Sequence, residues 1–116
     1  MKNELKLLPL PNNVKTNIGN MLFPKKIKEL RIQNHMPQRK IAAALEIDTA
    51  TYCKIEKGDR KAKKEQIVIL SKIFHVELTD LLTLWLADKV TAVVSDEHIV
   101  ASEVLSVAAD NLKRID

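Results

Sequence analysis

Apolar residues recur at helical spacing along most of this 116-residue chain, and short polar or proline-containing breaks separate the apolar stripes. The spacing predicts six helices. A proline breaks the chain after the first, and Ser95–Glu97 breaks it before the last. The predicted helices cover about residues 24–34, 38–45, 49–57, 63–74, 79–94 and 99–114. With only two glycines and four prolines, this pattern predicts an all-α fold.

Two of these helices are short and are joined by only three residues. The first has a narrow inward stripe consisting of Ile41, Ala42 and Leu45. Asp48 precedes the second helix, where a carboxylate can accept hydrogen bonds from the free N–H groups of the first turn. Gly58 follows it, at the position where a helix often needs a left-handed residue. We interpret residues 38–58 as a helix-turn-helix unit.

The second helix of this unit has two distinct faces. Tyr52 and Ile55 form its inward pair. The opposite face carries Thr49, Ala50, Cys53 and Lys54. A small, polar face with one long cation suits insertion into the major groove of DNA, where base edges offer hydrogen-bond acceptors and thymine methyl groups. The pattern therefore predicts that this helix reads DNA.

The distribution of charge supports this prediction more than the net charge of +4 does. Residues 24–64 contain twelve Lys/Arg against five Asp/Glu, whereas residues 65–116 contain four against nine. The basic half includes the helix-turn-helix unit, as a surface that binds a polyanion requires. The predicted phosphate contacts within it are Arg39, Lys40, Thr51, Lys57, Arg60 and Lys61.

Several residues in this region form a joint pattern, namely Arg31, Gln38, Ile41-Ala42, Leu45, Ile55-Glu56, Gly58 and Arg60. Over about residues 25–82 the pattern resembles the Xre-type helix-turn-helix family, which includes the lambdoid phage repressors and Cro. The resemblance implies a compact five-helix, repressor-like domain that binds operator DNA as a dimer. Two positions depart from the family pattern: Glu46 stands where glycine is common, and Ala62 stands where proline is common.

The resemblance also implies roles for individual residues. Gln38, the first residue of the second helix, would grip a DNA phosphate. The base-reading positions would be Thr49, Ala50 and Lys54. Arg31 would form an ion pair with Glu56 and thereby tie the first helix to the recognition helix.

Beyond the resemblance, the last two predicted helices are more apolar than a small five-helix domain needs. An isolated helix of about sixteen residues is marginal in water, so we expect its apolar stripe to be buried against a partner. The alternative is that these helices only cap the core. We predict a flexible N-terminal arm (residues 1–23), a DNA-binding domain (24–83) and a C-terminal helical extension for dimerisation (84–116). The predicted dimerisation residues are Trp85, Val90, Val93, Val100, Val104 and Leu112.

Other functional classes find little support in the sequence. The single cysteine excludes an intrachain disulfide and fits a reducing cytoplasm, at the nucleoid, as the expected location. The three histidines are too far apart for a helical metal pair, so we expect neither a metal nor a cofactor. No nucleophile–base constellation or phosphate-binding glycine loop indicates an enzyme. The apolar stretch near residues 5–10 is too short for a signal peptide, and no longer stretch predicts a membrane span.

Three functions therefore stay open at this point. The first is a homodimeric transcriptional regulator that acts on a two-fold symmetric operator in double-stranded DNA. The second is an antitoxin that binds a toxin through its C-terminal helices and represses its own operon. The third is a structural or assembly protein that uses helix-turn-helix geometry without reading DNA.

Overall fold

The computed structural model describes residues 21–115, which form six α-helices and one 3-10 segment. The helices are α1 (Leu22–Gln33), α2 (Gln38–Ala44), α3 (Thr49–Lys57), α4 (Lys64–Phe74), α5 (Leu78–Val94) and α6 (Ala101–Ile115), with the 3-10 segment Ser95–Val100 between α5 and α6. The predicted all-α, five-helix domain with a C-terminal helical extension is confirmed. The predicted arm, residues 1–23, lies outside the described residues except for its last three.

The core lies among α1 to α5 and is mostly aliphatic. It includes the inward residues predicted for α2 and α3. An amphipathic helix buries the face that carries its apolar side chains, and these residues lie on that face. Tyr52 in α3 is completely buried. The other core residues are Phe23, Ile27, Leu30, Ile41, Ala42, Leu45, Ile55, Ala62, Ile67, Leu70, Phe74 and Leu81.

The start of α1 differs from the prediction, which placed the first helical residue at Pro24. Helix α1 begins two residues earlier, and Phe23 is buried in the core. No neighbouring side chain caps this end. The cap comes from the buried carboxylate of Asp88 in α5, which accepts the backbone N–H of Leu22 at 2.9 Å and of Phe23 at 2.8 Å. A distant acid thus satisfies two of the N–H groups that every helix leaves free at its start.

We expect Asp88→Ala to lower the free energy of unfolding by about 1–3 kcal/mol, because it leaves two N–H groups at the start of α1 without acceptors. A denaturant titration measures this change, and hydrogen exchange should show lost protection at the amides of Leu22 and Phe23. The matched control is Glu29→Ala, which removes an exposed acid from the middle of α1. Equal stability of the two variants would contradict the capping role of Asp88.

Left-handed residues end several of the helices. Gly58 has a φ of 84° after α3, and His35, Glu46 and His75 have φ values of 56°, 60° and 56°. Glu46 occupies the position where the family commonly has glycine. It adopts the left-handed conformation that glycine would take at lower cost, so the turn between α2 and α3 is retained.

The C-terminal extension leaves the domain after α5. Val94 at the end of α5 is buried, but the backbone departs from helical geometry at Glu97 (φ −113°, ψ 50°), where the chain changes direction. Apart from half-buried Ala101, every side chain of α6 is exposed. Within the described residues, no helix is both long and apolar enough to cross a membrane.

Candidate nucleic-acid interface

Helix α3 is held against the domain by its inward face and is fixed at both ends. Tyr52 and Ile55 are buried against the core. At its start, Asp48 Oδ1 accepts the backbone N–H of Thr51 at 2.7 Å, and this hydrogen bond holds the pKa of Asp48 below its usual value. At its end, Gly58 takes the left-handed conformation. This arrangement fixes which side of α3 faces outward.

The outward side of α3 is the one that the sequence predicted. Thr49, Ala50 and Lys54 are all exposed, and no part of the described protomer covers them. Cys53, on the same side, is half-buried, and its thiol donates to Gln38 Oε1 at 3.0 Å. The surface therefore consists of small side chains around a single long cation.

A polar cluster beneath this surface joins α1, α2 and α3, and we call it the Glu56 cluster: Arg31, Gln38, Tyr52 and Glu56. Arg31 forms a bidentate pair with Glu56, with Nε 2.6 Å from Oε2 and Nη2 3.2 Å from Oε1. Tyr52 donates its hydroxyl to Oε2 at 2.6 Å, and Gln38 donates its amide to Oε1 at 3.1 Å. Only 3% of the Glu56 side chain is exposed, so four donor groups satisfy an almost completely buried carboxylate.

Burial and hydrogen bonding act in opposite directions on this carboxylate. Burial opposes its charge, but the hydrogen bonds from Arg31, Tyr52 and Gln38 and the charge of Arg31 outweigh it, so the pKa of Glu56 is lowered. The pKa of Arg31 is raised, chiefly by its hydrogen bond to Glu56. The pKa of Tyr52 is raised, first by burial and then by the same carboxylate. The cluster is thus an ionised pair with a neutral tyrosine at neutral pH.

The residues predicted to contact phosphate differ in their exposure. Thr51 and Gln38 are half-buried, whereas the five cations are exposed: Arg39, Lys40, Lys57, Arg60 and Lys61. Gln38 already uses its amide in the Glu56 cluster. A primary amide has two N–H donors, so one hydrogen bond to Glu56 leaves a donor for a phosphate.

Two contacts near the connector between α3 and α4 were missed by reasoning from the sequence. Trp85 in α5 donates its indole N–H to the backbone carbonyl of Ala62 at 3.1 Å, and Lys89 Nζ lies 4.3 Å from the centroid of the Trp85 ring. Trp85, a predicted dimerisation residue, is half-buried and has its indole N–H engaged within its own protomer. No local sequence signal links Ala62 to a residue twenty-three positions away. The spacing of Tyr52 and Glu56, one helical turn apart, could have indicated their hydrogen bond.

Among residues 21–115, no three His, Cys, Asp or Glu side chains are grouped closely enough to hold a metal ion. The arrangement offers an exposed face on a helix that is capped at both ends, in a segment of the chain with five exposed cations. Such a surface can bind a polyanion and present side chains to it in a fixed geometry.

Comparison with known proteins agrees with this geometry. Residues 27–81 match the family model described as "Helix-turn-helix". The chain is also similar to RstR, a cryptic phage CTXphi transcriptional repressor from Vibrio cholerae, with 29% identity over 62 residues. This similarity covers 53% of the present chain and 56% of RstR, so the match spans about half of each protein. No solved structure is significantly similar to the chain. Residues 27–81 therefore belong to the Xre-type, Cro/C1-like helix-turn-helix family of DNA-binding domains.

Proposed function

We propose that this protein is a non-enzymatic transcriptional regulator that binds a two-fold symmetric operator as a homodimer, at the nucleoid in the cytoplasm. The observation that carries the proposal is the exposed face of α3, where Thr49, Ala50 and Lys54 project from a helix that is fixed at both ends. The similarity to a phage transcriptional repressor supports the same function. A repressor is accordingly the form of regulation that we favour.

The chemistry of the face suggests how it would read DNA. Lys54 can donate to the O6 and N7 acceptors of guanine in the major groove, and Thr49 and Ala50 can meet base edges or a thymine methyl group. The exposed cations around α3 would neutralise phosphates and set the position of the helix. Two protomers related by a two-fold axis would place their recognition helices about 34 Å apart, one turn of the duplex.

Selection of bound sequences from a random pool of double-stranded DNA tests this proposal. We expect a palindromic sequence to be enriched, and light scattering should show two protomers on each selected duplex. The matched control is Lys54→Glu, which reverses one exposed charge on α3 and should abolish enrichment without changing the circular dichroism spectrum. Absence of any enriched sequence with the wild-type protein would refute the proposal.

One observation also favours a second candidate function. The apolar stripe of α6 is exposed, and an antitoxin could use such a stripe to bind its toxin. Copurification of the chain with a small protein encoded beside it would support this alternative if the complex is lost when residues 86–116 are removed. Dimeric protein that binds its own promoter without any such partner would favour the regulator.

A further inference from the structure

A cleft of about 400 Å³ opens between the start of α1, the connector between α3 and α4, and α5, and we call it the Trp85 cleft. We propose that this cleft binds a small amphipathic anion, such as a carboxylate on an apolar chain, and that its occupancy weakens DNA binding. The binding itself does not depend on the proposed function, whereas its effect on DNA rests on that function.

The first argument is the size and the apolar lining of the cleft. Phe23 at the start of α1, Ile55 in α3 and Ala62 in the connector are buried core residues that also line it. Trp85 and Ala92 line it from one face of α5, since seven residues are close to two helical turns. Small-molecule sites are clefts of roughly 300–1,000 Å³ with a mostly apolar lining and a few polar groups. The Trp85 cleft therefore suits the apolar body of a small molecule.

The second argument is the charge around the cleft, which decides the sign of the ligand. Three cations line it, namely Arg60, Lys61 and Lys89. Among the described residues that line it, Asp88 is the only acid, and both of its carboxylate oxygens already accept backbone N–H groups at the start of α1. Lys89 Nζ lies 4.3 Å from the centroid of the Trp85 ring, so a positive charge stands directly beside apolar lining. An acidic head group is attracted there, and a cationic one is repelled.

The third argument links the cleft to DNA. Arg60 and Lys61 line the cleft and are also exposed, predicted phosphate contacts. An anion bound beside them would neutralise charge that DNA phosphates would otherwise use. The ligand and the DNA would therefore compete for the same two cations. Because linkage is reciprocal, each would lower the affinity of the protein for the other by the same factor.

The fluorescence of Trp85 reports binding directly, because the chain contains one tryptophan and its ring lines the cleft. The full chain is titrated without DNA, once with decanoate and once with decyltrimethylammonium, both below the concentrations at which they form micelles. The two probes have apolar chains of similar length and head groups of opposite charge. We expect decanoate to change the emission of Trp85 in a saturable way, and decyltrimethylammonium to bind roughly tenfold more weakly or less.

Two pairs of variants locate the bound probe. Ala92→Phe should weaken decanoate binding about tenfold or more, because the phenyl ring occupies space in the cleft. Its matched control is Thr91→Phe, which adds the same ring at an exposed neighbouring position outside the cleft. Lys89→Gln should weaken decanoate binding roughly two- to fivefold, whereas Lys72→Gln, at an exposed position of α4 outside the cleft, should leave it unchanged. Circular dichroism confirms that each variant is folded.

Three results would overturn the ligand site. The first is no saturable change in Trp85 emission with decanoate, which would leave the cleft to a second copy or to another segment of this chain. The second is equal affinity for the two probes, which would mean that charge does not select the ligand. The third is an equal effect of Ala92→Phe and Thr91→Phe, because the probe would then bind apolar surface elsewhere, such as the exposed stripe of α6.

The effect on DNA is measured separately, by fluorescence anisotropy with the selected operator. Saturating decanoate should weaken operator binding about fivefold or more. It should also reduce the slope of log affinity against log salt by about 0.9 for each cation withdrawn from a phosphate. Decanoate should not change the operator affinity of Ala92→Phe. Unchanged affinity of the wild type with decanoate bound would overturn the coupling to DNA.

These outcomes separate the ligand site from the proposed function. Saturable decanoate binding by a protein that selects no DNA sequence would leave the ligand site in place and remove the regulator. A selected operator without decanoate binding would remove the ligand site and leave the regulator.

Discussion

Replacing Arg31 with alanine should lower the free energy of unfolding by about 3–5 kcal/mol, because it leaves the almost completely buried carboxylate of Glu56 without its counter-charge. Tyr52 and Gln38 still donate to that carboxylate, but neither carries a positive charge. The free energy is measured by urea denaturation at neutral pH. The matched control is Arg39→Ala, which removes an exposed arginine from the neighbouring α2 and should change stability by less than about 0.5 kcal/mol.

The dependence on pH provides an independent check of this first prediction. The folded state lowers the pKa of Glu56, so its contribution to stability is present above the pKa of about 4.3 in the unfolded chain. That contribution is lost as the pH falls through the lower value in the folded state. The difference in stability between wild type and Arg31→Ala should therefore shrink below about pH 4. A difference that stays constant from pH 7 to pH 3 would contradict an ionised pair.

Replacing Lys54 with alanine should weaken binding to the selected operator by about 1–3 kcal/mol, or roughly five- to 150-fold in Kd, and relax the preference at one base pair. Lys54 is exposed on the outward side of α3, so its loss should not affect folding. The affinity is measured by fluorescence anisotropy against the operator and against variants substituted at each base pair.

Arg39→Ala serves as the control for this second prediction as well. A phosphate contact carries no sequence information, so its loss should weaken binding to all sequences alike. It should also reduce the slope of log affinity against log salt by about 0.9. If Lys54→Ala instead weakens every sequence equally and lowers this slope, Lys54 contacts a phosphate and the assignment of base reading is wrong.

Local features of the sequence predicted most of what positions α3. The 3.6-residue period of apolar side chains indicated the buried faces of α2, α3 and α4, because one face of a short amphipathic helix has to leave water. Asp48 and Gly58 marked the two ends of α3 through capping chemistry that acts within a few residues. The contact of Arg31 with Glu56 cannot be predicted from helical periodicity or capping. It was expected only from the resemblance to the Xre-type family.

The long-range contacts could not be predicted from the sequence, and the reason is physical. The cap on α1 joins Asp88 to Leu22 and Phe23 across more than sixty residues, and nothing near residue 22 indicates which acid will approach. The predicted arm consequently extended into residues that belong to α1. The hydrogen bond of Trp85 to the carbonyl of Ala62 likewise joins residues far apart in the sequence, and a large apolar ring does not reveal which residues will lie against it.

Through its capped start, helix α1 connects α5 to α3. Helix α1 is a rod about 18 Å long. Asp88 of α5 holds one end, and Arg31 near the other end holds Glu56 of α3. If a second subunit contacts α5 and α3 meets the base pairs, as proposed, a rotation of α5 would be transmitted through α1 to α3. Linkage between two binding equilibria is reciprocal. An operator that prefers one angle of α3 would therefore strengthen the association of the subunits by the same factor by which that association strengthens operator binding.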